Sequence, residues 1–297
     1  MKDRKQRVLL AAQKLFIEKG FAATSVQDIL NESNISKGTF YNYFSSKNEC
    51  LISILAHAHD IASARRQELL IGKDPSDIDV FVKQIAVRME VNREQHLIPL
   101  YEAIFHSEDP ELSEFVKKLH IYELAWLSKR LVDIYGEIAA PYAMDGAIMT
   151  AGMMKHYIHI CMNHLNKDIN RHQLIYFVLR RIEAIMAHMM ETNDQLIGQQ
   201  FPLPADYNWS NHTLTKETLI ERLSSFANSV TNDSKAVEYI EFLAEELKSE
   251  QPRLALLETI LLAFGDVFTG SSKEAEAKEL AFTIYTYLKE LKSSLNK

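Results

Sequence analysis

The sequence predicts an all-α fold, and three observations predict it. Glycine and proline are sparse, 9 and 7 among 297 residues, so tight turns are few. Apolar residues recur at three- and four-residue spacing along most of the chain. Where these runs begin there stands a capping residue with Asp, Glu or Gln three places on, or a proline fit for the first turn of a helix. A hydrophobic content of 47% with 25% charged residues marks a globular chain, and its length allows two domains or more.

Residues 4–19 read as the first helix. Val8, Ala11, Ala12, Leu15 and Phe16 form its apolar stripe, and Gly20 stops it. Its charged face carries Arg4, Lys5 and Arg7, either a solvated surface or a phosphate contact. The stretch 24–47, TSVQDILNESNISKGTFYNYFSSK, reads as two short helices joined by a tight turn and the start of a third. Thr24 or Ser25 caps the first of these, with Gln27 or Asp28 closing a capping box. Val26, Ile29 and Leu30 share one face, and Asn31 to Asn34 favour a turn. Ser36 caps the second, which starts at Lys37. Phe40 and Phe44, four apart, point to one side, while Lys37, Thr39, Tyr41 and Asn42 lie on other faces. An apolar back with a small polar front is what a reader of the DNA major groove needs. Ser46 to Glu49 is a further capping box.

These residues resemble the TetR family of bacterial transcription regulators. The resemblance is carried by Leu15-Phe16, Lys19-Gly20-Phe21, Thr24-Ser25-Val26 through Ile29, Ile35 through Phe44, and Ser46-Lys47. It covers roughly the first fifty residues. One departure is Leu30-Asn31, where the family usually has a small residue after the isoleucine. The resemblance implies an N-terminal three-helix helix-turn-helix domain on a helical body that binds a ligand and dimerises. The expected reading set is Lys37, Gly38, Thr39, Tyr41 and Asn42. Gly38 lets the backbone come close to DNA, and the hydroxyls of Thr39 and Tyr41 can meet a base. Thr24, Ser36, Tyr43 and Lys47 are the expected phosphate-side set, by charge, hydroxyl or helix N-terminus.

Beyond this head, 47–71 reads as one long helix ended by Gly72 and Pro75. In the family such a helix joins head to body. A helix over 77–92 follows, then one with Pro99 in its first turn, then a long one from Pro110 to Tyr135 stopped by Gly136. Pro141 opens a helix over 142–165, and Asp168 or Asn170 caps the next. These two are apolar nearly all round, so a monomer would leave one side exposed. The resemblance implies that residues 141–190 form a homodimer as a four-helix bundle. Residues 193–215, rich in amides and holding Pro202 and Pro204, read as a linker. Helices over about 216–230, 234–249, 252–268 and 272–293 form a C-terminal bundle outside the family pattern. The expected domains are therefore 1–47 for DNA, 48–192 for ligand and dimer, 193–215 as linker and 216–297 as extension.

Charge fits this division. The net charge is −7, yet residues 1–50 hold eight Lys/Arg against five Asp/Glu, a net +3 that leaves −10 on the rest. Two cysteines, Cys50 and Cys161, outside any CxxC pattern, exclude a disulfide framework. No apolar leader follows MKDRKQR and no run approaches the ~20 residues that span a bilayer, so a cytoplasmic protein without membrane contact is expected. GxSxG, Walker and Rossmann signatures are absent, and an enzyme is not expected. His156 and His159 share a face, but HExxH and a third ligand are lacking, so no metal or other cofactor is expected. Tyr101, Phe105, Trp126, Met149, Met153 and Tyr157 are the candidate ligand-binding residues, since Met and aromatic groups adapt to apolar shapes. The sequence thus points to a transcription repressor that leaves a palindromic double-stranded operator when a small apolar or amphipathic effector binds. The other reading is a helical interaction module whose C-terminal extension holds a protein partner.

Overall fold

The computed structural model describes residues 2–105, 109–164, 170–198, 201, 215–230, 234–249 and 252–295. Among these are thirteen α-helices and no strand. The head comprises α1 (Lys2–Glu18), α2 (Val26–Ser33) and α3 (Lys37–Tyr41); α4 (Lys47–Glu68) follows. The body has α5 (Ile78–Glu94), α6 (Ile98–Phe105), α7 (Pro110–Tyr135), α8 (Ala143–Asn163) and α9 (Arg171–Thr192). The C-terminal helices are α10 (Lys216–Asn228), α11 (Ser234–Lys248), α12 (Leu254–Val267) and α13 (Glu274–Leu295).

The chain divides into two compact units, and the division falls inside α4. One unit holds residues 1–59 and 75–207; the other holds 60–74 and 208–297. The sequence reading placed 60–74 with the body. They go with the C-terminal helices for a physical reason: Ile71, 2% exposed, joins the core of Leu223, Phe226, Leu261, Phe264 and Ile284. Two ion pairs hold the same segment. Arg65 Nε donates to Glu274 Oε1 at 2.6 Å, and Lys278 Nζ donates to Glu68. Phe226, Phe264 and Phe268 meet edge to face, with centroids 5.1 to 5.7 Å apart.

In the first unit the helix ends are set by local chemistry. Asp77 caps α5, Asp109 caps α7 ahead of Pro110, and Asn170 caps α9. Gly146 lets α8 pack closely: a Cβ there would sit 2.6 Å from Met186 Sδ on α9 and 3.0 Å from Leu131 Cδ1 on α7. Arg130 is wholly buried. It donates to Gln84 Oε1 at 2.8 Å, Asp133 Oδ2 at 2.6 Å and the Pro75 carbonyl at 2.7 Å. Those bonds offset the cost of removing a guanidinium from water and fix the chain where it re-enters this unit.

The expected linker begins tied down. Asp145 on α8 accepts the backbone N–H groups of Leu196, Ile197 and Gly198 at 3.1 to 3.2 Å. Tyr142 Oη donates to Asn193 Oδ1 at 2.6 Å. Leu196 itself points outward, 91% exposed. The rest of that linker lies almost wholly outside the described residues.

Candidate nucleic-acid interface

The head is built on a small aromatic core. Val8, Ala12 and Phe16 of α1 are buried with Ile29 and Leu30 of α2, Phe40 of α3 and Phe44 just beyond it. Phe40 and Phe44 lie 5.6 Å apart. Their burial fixes the roll of α3, a helix too short to be stable alone. Replacing either by Ala would cost ~3–5 kcal/mol.

Caps then fix where α2 and α3 begin. Ser25 Oγ accepts the Asp28 N–H, and the Asp28 carboxylate accepts the Ser25 N–H in return. Lys19 donates to Asp28 at 2.8 Å and, with the Ser25 bonds, holds its carboxyl well below the usual range. Asn34 takes the left-handed conformation, φ 51°, that turns the chain between α2 and α3. Ser36 Oγ accepts the Thr39 N–H at 3.2 Å and lies 2.9 Å from Thr39 Oγ1. The third box is only half formed. Ser46 Oγ accepts the Glu49 N–H, but the Glu49 carboxylate takes the N–H of Ser45 instead.

This frame sorts the expected DNA residues into two groups. Lys37, Gly38, Tyr41 and Asn42 are exposed, and Thr39 and Tyr43 half-buried. Tyr41 is 47% exposed, its ring edge-on to Phe40 at 5.4 Å. Together they offer a cation, hydroxyls, an amide and an open backbone on one short helix. Thr24 and Lys47 differ from their expected phosphate-side role. Thr24 is 1% exposed, and its hydroxyl donates to the Gly20 carbonyl at 2.8 Å. Lys47 Nζ donates to the Phe21 and Thr24 carbonyls at 2.8 Å each, 4.3 Å from the Phe21 ring centroid. Burial lowers its pKa. Both side chains close the turn after α1. Lys5 joins the head's surface, its ammonium 5.2 Å from the Phe44 ring centroid.

A sequence model of the bacterial regulatory proteins of the tetR family matches residues 8–54, the span from the buried face of α1 into α4. The head is that of a regulatory protein of the tetR family. It is similar along its length to two regulators of Bacillus subtilis (strain 168). The uncharacterized HTH-type transcriptional regulator YuxN is 28% identical over 287 residues, 94% of this chain and 96% of that one. The uncharacterized HTH-type transcriptional regulator YerO is 24% identical over 269 residues, 88% of this chain and 89% of that one. An alignment of that reach takes in most of the C-terminal unit, so the similarity to these two regulators extends well beyond the head. The HTH-type transcriptional activator FasR of Mycolicibacterium smegmatis is 32% identical over 73 residues, 24% of this chain and 33% of that one. No solved structure matches the chain.

The candidate ligand-binding residues do not stand in one setting. Trp126 is buried, 6.0 Å from the Phe81 ring. Tyr157 is 43% exposed and meets Phe177 edge-on at 5.4 Å. Met149 and Met153 are half-buried on α8. Tyr101 is half-buried, its hydroxyl accepting from Arg88 at 2.9 Å. The side chain of Phe105 lies outside the described residues. Sequence reading missed Arg88, whose signal was a lone arginine on the predicted helix over 77–92. Among the described residues no helix is long and apolar enough to cross a membrane, and no three metal-ligating side chains gather.

Proposed function

We propose that this regulator is a homodimeric repressor, released from a palindromic operator by a small apolar or amphipathic effector held in its body. The observation that carries the DNA half is the division of α3. Phe40 is fully buried behind, and Lys37, Gly38 and Tyr41 are exposed in front. Two such helices must reach major-groove faces ~34–36 Å apart, or a multiple of that, which requires two copies.

The dimer reading is supported by the outer side of α8 and α9. Gly152, Tyr157 and Ala184 are exposed there, and Ile158, Phe177 and Ile185 half-buried. Ile182 is fully buried within the subunit, so a charge at that position tests folding and not assembly. Ile185→Glu is the better probe, and monomers in sedimentation with an unchanged melting profile are the expected result.

An effector in the body touches no DNA. It acts only by binding one separation of the two heads better than another. A coupling of ~1–3 kcal/mol releases DNA about 5- to 150-fold, and DNA weakens the effector by the same factor. The deciding experiment starts with the molecule that co-purifies with the protein. Its affinity is measured with and without saturating operator, and a reporter behind that operator is compared with and without the regulator. Weaker binding on DNA with a silenced reporter is expected. Equal affinities remove the effector role, and a reporter that the regulator raises makes it an activator.

A further inference from the structure

Among the described residues Arg88 is a half-buried guanidinium of the body whose hydrogen-bond partners carry no carboxylate. It projects from α5 into a cluster drawn from four helices. Its Nη2 donates to Tyr101 Oη of α6 at 2.9 Å, and its Nη1 faces His59 Nδ1 of α4 at 3.4 Å. The His59 ring lies 6.0 Å from that of Tyr122 on α7, and the Lys118 ammonium lies 5.7 Å from the Tyr122 ring. All of these residues belong to the first unit.

Arg88 differs from three inward-facing cations that are paired with carboxylates. Arg130 has Asp133, Arg65 has Glu274 and Lys278 has Glu68. The partners of Arg88 among the described residues are a phenol and an imidazole. An imidazole nitrogen that faces a guanidinium at this distance is best served by a lone pair, so neither partner balances the charge. A half-buried guanidinium whose direct partners are both neutral groups keeps an unmatched charge that an anionic ligand would satisfy.

The remaining donors of Arg88 are not sealed in. Among the described residues the wholly buried side-chain polar atoms without a partner are Glu68 Oε1 and Asn92 Oδ1, and no Arg88 nitrogen is one of them. Tyr101 adds a second donor. Its oxygen accepts from Arg88, which leaves its own proton to give. Burial and the charge of Glu123 raise its pKa against the pull of Arg88, so the proton stays on at neutral pH. Guanidinium and phenol together match the two oxygens of a carboxylate, and the rings of Tyr101, Tyr122 and His59 give an apolar body a flank.

We propose that Arg88 and Tyr101 form the anchor for the acidic group of the effector, which is an organic acid with a carboxylate on an apolar or aromatic body. This rests on the effector reading above and narrows it to one chemical class. The test uses two matched sets of probes, decanoate with decanamide and decylamine, and 1-naphthoate with 1-naphthamide and 1-naphthylmethylamine. Each is added below micelle-forming concentration to the full chain and to Arg88→Gln, Arg88→Lys and Tyr101→Phe. Thermal shift reports binding, and anisotropy of labelled operator reports release. Acids are expected to raise Tm and release DNA, with tenfold or more lost in Arg88→Gln, part restored in Arg88→Lys, and a smaller loss in Tyr101→Phe. Melting of each variant without probe shows that it is folded, and Tyr101→Phe keeps the test open if Arg88→Gln is not. Amides that match the acids, or acids that act equally on every variant, overturn the proposal and leave an effector of another class. If none of the six raises Tm, the anchor falls. The effector reading is then judged separately, by the molecule that co-purifies.

Discussion

Gln13 Nε2 donates to the Gln95 carbonyl oxygen at 2.7 Å, joining α1 of the head to the end of α5 across 82 positions of sequence. A second side-chain amide does the same: Asn48 Nδ2, in the first turn of α4, donates to Asp109 Oδ2 at 2.6 Å, and Asp109 caps α7. Neither bond involves a residue of α3. The two tie the head to the body.

Gln13→Ala with Asn48→Ala is expected to cost ~0.5–1.5 kcal/mol of stability for each bond. Operator affinity should fall while its dependence on salt stays the same, because the phosphate contacts are untouched. Denaturant unfolding and operator titrations at three salt concentrations check this. A changed salt slope would place these residues at the DNA itself.

Asp145 gathers three backbone N–H groups from 196–198. Asp145→Ala leaves all three in a partly buried site and should cost at least ~2 kcal/mol, since each orphaned donor costs ~1–3 kcal/mol where water cannot reach it. Asp145→Asn keeps an acceptor and should fall between the two. Urea midpoints compared at equal slope measure it.

Acid should weaken the C-terminal unit in a defined window. Side-chain and backbone hydrogen bonds from Arg253 lower the Glu246 carboxyl to about 2 from an ordinary 4.5. A carboxyl with a depressed folded pKa contributes stability above its unfolded value and loses it as pH falls toward the folded one. That contribution is complete above about pH 5 and fades between about pH 4.5 and pH 2. Melting curves across this range should drop less steeply in Glu246→Gln than in the parent. Parallel curves would show that the pair adds nothing.

The parts legible in the sequence were those written within a few neighbouring residues. Ser25 with Asp28, Ser36 with its helix, Pro110 and Asn170 each act on backbone one to three places away. The inward turn of Thr24 and Lys47 was not legible, because the carbonyls they meet come together only when the turn after α1 has folded. The unit boundary at His59/Asp60 left no mark either. A continuous helix shows no change of composition there, and the partners of Arg65 and Glu68 stand 209 and 210 positions away. Arg88 is the same case, since its neighbours come from three other helices.

The central claim is that the exposed side of α3 reads DNA, and one titration tests it most directly. The parent, Lys37→Ala and Tyr41→Ala are titrated onto an operator selected from random genomic fragments, at fixed salt and again across a salt series. Lys37 is exposed, so Lys37→Ala should melt like the parent; Tyr41→Ala also gives up the edge-on contact with Phe40, and its melting should fall by no more than the ~0.5–1.5 kcal/mol of one aromatic pair, leaving the head folded. Each should lose ~1–3 kcal/mol per half-site, and the dimer loses it twice. Affinities equal to the parent's for both variants would contradict the account.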